Sequence, residues 1–215
     1  MSAPLTRAPP RAPDLTPAPG AALWSAWFDR AAQAALVEEI RAVAAQAPFF
    51  TPVMPRTGKP FSVRMTNCGP LGWVSDRAGY RYQPTHPDGA PWPAIPDRLL
   101  ATWRALTGCA VDPDACLVNY YGEGAKMGLH QDHDEETFAA PILSISLGDE
   151  AVFRLGGPER SDKTRSFRLR SGDALAMGGA SRLAFHGIDR VLPGSSTLLP
   201  KGGRINLTLR RVKPF

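Results

Sequence analysis

The feature that most constrains the fold is a change of pattern at Cys109. Beyond it, short β-forming runs at 116–121, 141–147, 151–155, 166–170, 173–177, 182–186 and 204–211 alternate with turn residues every eight to twelve positions. Before it, the periodicity is helical. From Trp27 to Gln46 the apolar residues Phe28, Ala32, Leu36, Ile40 and Val43 share one helical face, and the run stops before Pro48. A second helix is expected from Ile95, Leu99, Trp103 and Leu106, opened by Pro96 and Asp97 and closed by Thr107 and Gly108. The intervening 48–93, rich in Pro, Gly and aromatics, reads as short strands and long loops. Helices first and many strands after predict an α+β domain dominated by a sandwich or jelly roll.

Two of the runs also say which way they face. Successive side chains of a strand point to opposite sides. In Ile142-Leu-Ser-Ile-Ser-Leu147, residues Leu143, Ile145 and Leu147 share one side and Ser144 and Ser146 the other. In Arg204-Ile-Asn-Leu-Thr-Leu-Arg210, residues Arg204, Asn206, Thr208 and Arg210 oppose Ile205, Leu207 and Leu209. Both strands suit a barrel with a dry outside and a polar inside. Two guanidiniums and an amide on one face make a cradle for a dicarboxylate, since Arg pairs bidentately with carboxylates; an edge strand charged against aggregation would share the pattern. Asn119 and Tyr121 repeat the two-residue spacing on an earlier strand.

Composition narrows the class. No apolar run approaches the roughly 18 residues of a membrane span, and no secretory signal is evident, so a cytoplasmic protein with no membrane partner is expected. Three widely spaced cysteines, Cys68, Cys109 and Cys116, suit buried thiols rather than a disulfide framework. The net charge of +5 leans toward a polyanionic partner without specifying any chemistry.

Among the four histidines, His130-Gln-Asp132 and the later His186 form the one arrangement with metal-ligand character. On extended chain His130 and Asp132 point the same way, and His186 can arrive from another strand. Two imidazoles and one carboxylate leave coordination positions open, the pattern of non-haem iron(II) oxygenases, although zinc hydrolases also use such ligands. A His-x-Asp taken alone is common enough to be three unrelated polar residues.

Taken together, Asn119-Tyr-Tyr121, Gly128-Leu-His130-Gln-Asp132-His-Asp134-Glu135, Ser181-Arg-Leu-Ala-Phe-His186-Gly-Ile188 and Arg204-Ile-Asn206-Leu-Thr-Leu-Arg210 resemble the AlkB-type iron(II)/2-oxoglutarate dioxygenases that repair alkylated nucleic acid. The likeness runs from about Phe49 to Arg211 and includes Met65–Trp73 and Gly79-Tyr80-Arg81-Tyr82. It implies a double-stranded β-helix (jelly roll) with N-terminal supporting helices. Residues 1–20, holding six prolines, are expected to be a flexible tail, 21–115 helices and a nucleotide-recognition lid, and 116–215 the catalytic core, one domain over about 21–215.

The resemblance also implies that His130, Asp132 and His186 hold Fe(II), and that Asn119, Tyr121, Arg204, Asn206 and Arg210 hold 2-oxoglutarate. Arg204 is expected at the distal carboxylate with Tyr121, and Arg210 nearer the iron. With O2, 2-oxoglutarate becomes succinate and CO2 while an N-methyl group is hydroxylated and lost as formaldehyde. The expected substrate is DNA carrying 1-methyladenine or 3-methylcytosine, single-stranded or as a duplex with a flipped base. An RNA or protein substrate, or a non-catalytic binding module, are the alternatives, and a monomer is expected. Trp73 resembles the family's stacking residue, opposing His130 across the base. Trp73 and Asp134 would favour a cationic alkylated ring, and Tyr80, Arg81, Tyr82 and Arg160 match positions that touch the nucleotide.

Charge distribution then matters more than its total. Six basic residues against two acids lie between Arg154 and Arg170, and five against none between Lys201 and Lys213. Arg204 and Arg210 are assigned inward, which leaves the Arg160 region as the phosphate-contact candidate. Two departures from the family are Met177, where a tryptophan is expected, and the loop Pro55–Pro60.

Overall fold

The computed structural model describes residues 11–215. In chain order the elements are β1 (Leu15–Ala18), β2 (Ala21–Trp24), α1 (Arg30–Gln46), β3 (Arg64–Cys68), β4 (Gly72–Asp76), β5 (Gly79–Gln83), α2 (Asp97–Thr107), β6 (Ala115–Tyr121), β7 (Met127–His130), β8 (Ile142–Gly148), β9 (Glu150–Leu155), β10 (Arg165–Leu169), β11 (Ala174–Met177), a 3-10 turn (Gly179–Ser181), β12 (His186–Leu192) and β13 (Arg204–Arg210).

A seven-stranded sheet, ordered β1-β2-β11-β8-β13-β6-β3, faces a four-stranded sheet, β10-β9-β12-β7; β4 and β5 form a separate hairpin. Every pairing between these strands is antiparallel. The architecture is the jelly roll expected, with the helices outside it.

The helices follow their sequence signals. Asp29 caps α1, its carboxylate accepting from the Ala32 amide at 2.8 Å, so the helix opens at Arg30 rather than at Trp27. Its buried Leu36, Ile40 and Val43 lie on the expected face, and Val37 is buried beside them. On α2 the buried Leu99, Trp103 and Leu106 do the same, and Gly108 closes the helix at φ 66°, a left-handed conformation suited to glycine.

Two hydrophobic cores divide the strands' faces. One joins both helices to Leu143, Ile145, Leu147, Ile205, Leu207 and Leu209, the dry side of β8 and β13. The other lies between the sheets, where Leu117, Ile142, Leu175 and Met177 meet Phe153, Leu155, Leu169 and Ile188. The alternation read from β8 and β13 therefore sorts side chains between a helix-packed core and the space between the sheets. Cys68 and Cys116 are buried register partners, and Cys109 is half-buried; all three are free thiols.

Three expectations need correction. Within the supposed flexible tail 1–20, Leu15–Ala18 is strand β1, and Arg11 and Asp14 are tied to β2 and Ser25: Trp24 Nε1 donates to the Arg11 carbonyl at 2.7 Å and the Ser25 amide to Asp14 at 2.8 Å. Prolines did not prevent this because β1 is an edge strand, where a missing N–H leaves no ladder bond unmade. Residues 1–10 of that segment lie outside the described residues. The boundary at 115/116 does not separate the jelly roll either, since β1, β2 and β3 belong to the large sheet. Finally, 182–186 is not a strand: a 3-10 turn precedes it and β12 begins at His186. No helix among the described residues is long and apolar enough to cross a membrane.

Candidate active site

The last residue of β7 and the first of β12 are register partners, and they are His130 and His186. Their ring centroids lie 4.5 Å apart, and His130 Nε2 is 3.6 Å from Asp132 Oδ1. One donor atom from each of His130, Asp132 and His186 lies within 4.8 Å of the others. Both Nδ1 atoms sit 2.9 Å from backbone carbonyls, His130 on Gly128 and His186 on Ala184. A carbonyl only accepts, so Nδ1 carries the proton and each Nε2 lone pair is free to bind a metal.

Electrostatics favour the ligand forms. Burial, with the neighbouring His130 imidazole acting in the same direction, lowers His186 to about 4 and keeps its imidazole neutral at physiological pH. Burial would raise the Asp132 carboxyl, but Arg210 and the two imidazoles outweigh it and hold the group well below the usual carboxylate range. Two imidazole Nε2 atoms and a carboxylate, clustered on one side, form a donor set that suits a divalent iron with open positions.

Beside this cluster, the polar face of β13 lines a cavity of about 420 Å³ between the sheets. Register explains why the motifs belong together: Arg204 lies opposite Tyr121 and Asn206 opposite Asn119 on β6, while Ser146 and Ser144 flank them from β8. Arg204 is 1% exposed. Its Nη2 donates to Ser146 Oγ at 3.0 Å, and the guanidinium lies 5.3 Å from the Tyr121 ring centroid. Its Nε and Nη1 have no protein acceptor, and neither does Asn119 Oδ1 a donor. Buried polar groups are normally paired, so two free donors on a buried cation mark the place of an anion. Asn206 is held by its own contacts, donating to Ser144 Oγ at 2.7 Å and to the Ile145 carbonyl at 3.1 Å.

Arg210, at the other end of the same face, has its donors engaged. Nε and Nη2 donate to Asp132 Oδ2 at 2.9 and 2.6 Å, and Nη1 reaches the Tyr82 hydroxyl at 3.3 Å. The Tyr82 hydroxyl in turn donates to Glu135 Oε1 at 2.6 Å. Arg210 thus sits beside Asp132 of the His-Asp-His cluster, and its contacts are to Asp132, Glu135 and the Tyr82 hydroxyl.

The mouth of the cavity is aromatic. Trp73 stacks on Tyr80 with centroids 5.5 Å apart and planes 18° from parallel, and Phe61 meets Trp73 edge-on. Trp73 Nε1 donates to Asp134 Oδ2 at 2.8 Å, and His133 Nδ1 sits 3.0 Å from the other oxygen of Asp134. Tyr80 is 48% exposed at this mouth. Arg160 lies on the rim, donating to the Leu129 carbonyl at 3.0 Å.

Arg81 does not line this cavity. It falls between Tyr80 and Tyr82 on β5, so alternation turns it to the other side of the hairpin, where Asp76 takes it bidentately at 2.9 and 2.8 Å. Nor are the basic residues of 154–170 uniformly free: Arg168 and Arg170 pair with Glu150, and Arg165 donates to the Pro17 carbonyl. Met177 is buried and lines the cavity wall.

Several site residues escaped the sequence reading. Ser144 and Ser146 could have been found from the alternation of β8, which already put them on the polar side. Glu135 and Arg182 gave no such signal. Glu135 lies in an acidic run that reads as solvated, yet it is buried against Arg210 at 3.4 Å and Arg182 at 3.2 Å.

Residues 20–210 match the family described as the 2OG-Fe(II) oxygenase superfamily. The chain is 56% identical over 200 residues, 93% of its length and 90% of the other's, to the alpha-ketoglutarate-dependent dioxygenase AlkB homolog of Caulobacter vibrioides. It is 43% identical over 110 residues, 46% of its length and 25% of the other's, to the DNA N(6)-methyladenine demethylase ALKBH1D of Arabidopsis thaliana. The solved structure of OsALKBH1 superposes with a TM-score of 0.75 at 32% identity, covering 92% of this chain and 98% of that one.

Proposed function

The chain belongs to the 2OG-Fe(II) oxygenase superfamily as an AlkB-type, iron(II)- and 2-oxoglutarate-dependent dioxygenase, and from that premise we propose that it repairs DNA by oxidative demethylation of 1-methyladenine and 3-methylcytosine. His130, Asp132 and His186 would hold the iron. The observation that carries the reading is Arg204, a buried guanidinium with two free donors in the cavity that also contains the His-Asp-His cluster. Its chemistry fits the distal carboxylate of 2-oxoglutarate, with Tyr121 beside it and Asn119, whose amide oxygen is unpaired, lining the same cavity.

When bound, the iron supplies oxygen activation coupled to decarboxylation of 2-oxoglutarate to succinate and CO2, and the methyl group leaves as formaldehyde. The protein's part is placement. Arg204 and Tyr121 anchor one end of the cosubstrate, and Arg210 keeps Asp132 ionised. Trp73, braced by Tyr80, offers an indole face to a base extruded from the stack, opposite His130. Asp134, at the edge of that indole, supplies negative charge that a cationic methylated ring uses and a neutral base does not. Arg160 on the rim is the phosphate contact, and the enzyme acts as a monomer.

The test is aerobic turnover with Fe(II), 2-oxoglutarate and oligonucleotides carrying 1-methyladenine or 3-methylcytosine, in single-stranded DNA, duplex DNA and RNA. Succinate and formaldehyde are expected in equal amounts with DNA. Formaldehyde from RNA alone would move the substrate class, and its absence from all three would overturn the demethylase reading.

A further inference from the structure

Arg182 is buried, and neither the iron site nor the cosubstrate cradle includes it. Its guanidinium nevertheless reaches the whole of the loop 131–141 between β7 and β8. Nη1 donates to the Asp132 carbonyl at 2.8 Å and Nε to the Ala140 carbonyl at 3.0 Å, so one side chain ties the loop's two ends. Nη2 forms an ion pair with Glu135 Oε2 at 3.2 Å in the middle of the loop. The guanidinium carbon lies over the Phe138 ring, 5.2 Å from its centroid. A loop without regular structure thus closes around a single planar cation, whose fork of donors serves two carbonyls in fixed directions while its charge faces a carboxylate, as an ammonium cannot.

The tie is returned from the other side. Gln131 Nε2 donates to the Leu183 carbonyl at 2.6 Å and to that of Pro158 at 3.0 Å. The segment carrying His130 and Asp132 and the segment leading to His186 therefore each send a side chain to the other's backbone. The turn carrying Arg182 is itself held by the N-terminal hairpin. Ser181 Oγ donates to the Pro19 carbonyl at 2.7 Å, and the Gly178 amide to the Gly20 carbonyl at 2.8 Å. At Gly20, φ is +83° and a Cβ would come within 2.1 Å of the Gly178 oxygen, so this close approach requires glycine.

We propose that Arg182 is a positioning residue that couples recognition of the cationic base to the metal centre. By holding the Asp132 main chain, Glu135 and the closing end of the loop together, it sets where Asp134 meets Trp73 as well as where Asp132 meets the histidines. Loss of its fork lets the recognition carboxylate and the metal carboxylate drift together, because both belong to the one loop. The inference rests on the reading of His130, Asp132 and His186 as metal ligands.

The experiment compares wild type with Arg182→Lys, which keeps the charge but not the planar fork that reaches both carbonyls. The first readout is Co(II) affinity of the metal-free protein, followed by titration. The second is the ratio of affinities of the Co(II)-loaded protein, without oxygen, for an oligonucleotide with 1-methyladenine and for its unmethylated twin. In Arg182→Lys, Co(II) binding is expected to weaken by about 10-fold, in line with other residues that orient metal ligands, and the methylated-to-unmethylated ratio to fall several-fold. A residue that only stabilised the fold would lower the yield of folded protein and leave both values unchanged in the folded fraction, and that result overturns the proposal. If Arg182→Lys does not fold, Ser181→Ala, which releases only the tie to Pro19, is expected to move both readouts the same way by a smaller factor; wild-type values there overturn it too. The ligand reading is tested separately: wild type must bind Co(II) and Asp132→Ala must not. Failure of that control removes the metal site itself, whereas failure of the Arg182→Lys arm alone removes only the coupling.

Discussion

Arg204 and Arg210 stand at the two ends of one face of one strand, both buried, and they live in opposite circumstances. Arg204 has no acid beside it. Two of its donors are free, and burial pulls its guanidinium below the ordinary value. At Arg210 burial pushes the same way, but Asp132, Tyr82 and Glu135 more than reverse it and the guanidinium is held above the ordinary value. Equal residues on equal faces thus differ in what they await: Arg204 lacks an anion that must come from outside, and Arg210 already has its own. A cradle that binds and releases a dicarboxylate needs the first kind of site; a metal ligand that must stay ionised needs the second.

The comparison breaks most severely at Asp132. Asp132→Ala removes a metal ligand and leaves Arg210 buried with its nearest acid gone. Turnover is expected to vanish and the metal-free protein to lose about 3–5 kcal/mol of stability, the usual cost of half a buried pair. Turnover near the wild-type rate would remove Asp132 from the metal site.

A sharper contrast comes from the same substitution at both arginines. Arg210→Met strands Asp132 and Glu135 and is expected to destabilise the fold by a similar ~3–5 kcal/mol in urea unfolding. Arg204→Met strands no acid, so stability should change by less than about 1 kcal/mol, while the KM for 2-oxoglutarate rises roughly 100-fold, equivalent to ~3 kcal/mol for a charge-assisted pair. Equal loss of stability in the two variants would erase the distinction drawn between them.

The smallest effect expected is one of pH on the metal-free protein. His186 falls to about 4 in the fold, against roughly 6.5 in an unfolded chain. Below the unfolded value the unfolded state binds the proton first. This contribution to stability is therefore complete above about pH 6.5 and is lost as pH falls toward 4, at no more than ~1.4 kcal/mol per unit. Urea midpoints at pH 7 and pH 5 should separate in wild type and separate less in His186→Gln; an undiminished separation in the variant would assign the effect to other groups.

Much of this was legible in the chain itself. The strict alternation of Arg204–Arg210 and of Ile142–Leu147 told which side chains enter the cavity, because a strand's period of two survives any packing. The spacing of His130, Asp132 and His186, joined to the other motifs, pointed to the metal centre. The errors share a cause. Prolines before Gly20 read as a tail because an edge strand and a loose chain tolerate proline alike. Adjacency groups Arg81 with its tyrosine neighbours, but its parity on β5 turns it to Asp76 and away from the cavity. Glu135 looked like one more solvated acid until Arg182 and Arg210 closed around it.

What the sequence determined alone, then, were the periodic properties: which faces are dry, where α1 ends and where α2 begins and ends, and which polar residues share the inner side of β8 and β13. Such properties depend only on local backbone geometry. The tertiary structure decided the pairings, that Arg204 keeps free donors while Arg210 does not, that Arg182 holds the loop bearing Asp132 and Asp134, and that Leu15–Ala18 completes the large sheet. A partner far along the chain is chosen by which surfaces meet when the sheets close, and no periodicity within a segment carries that information.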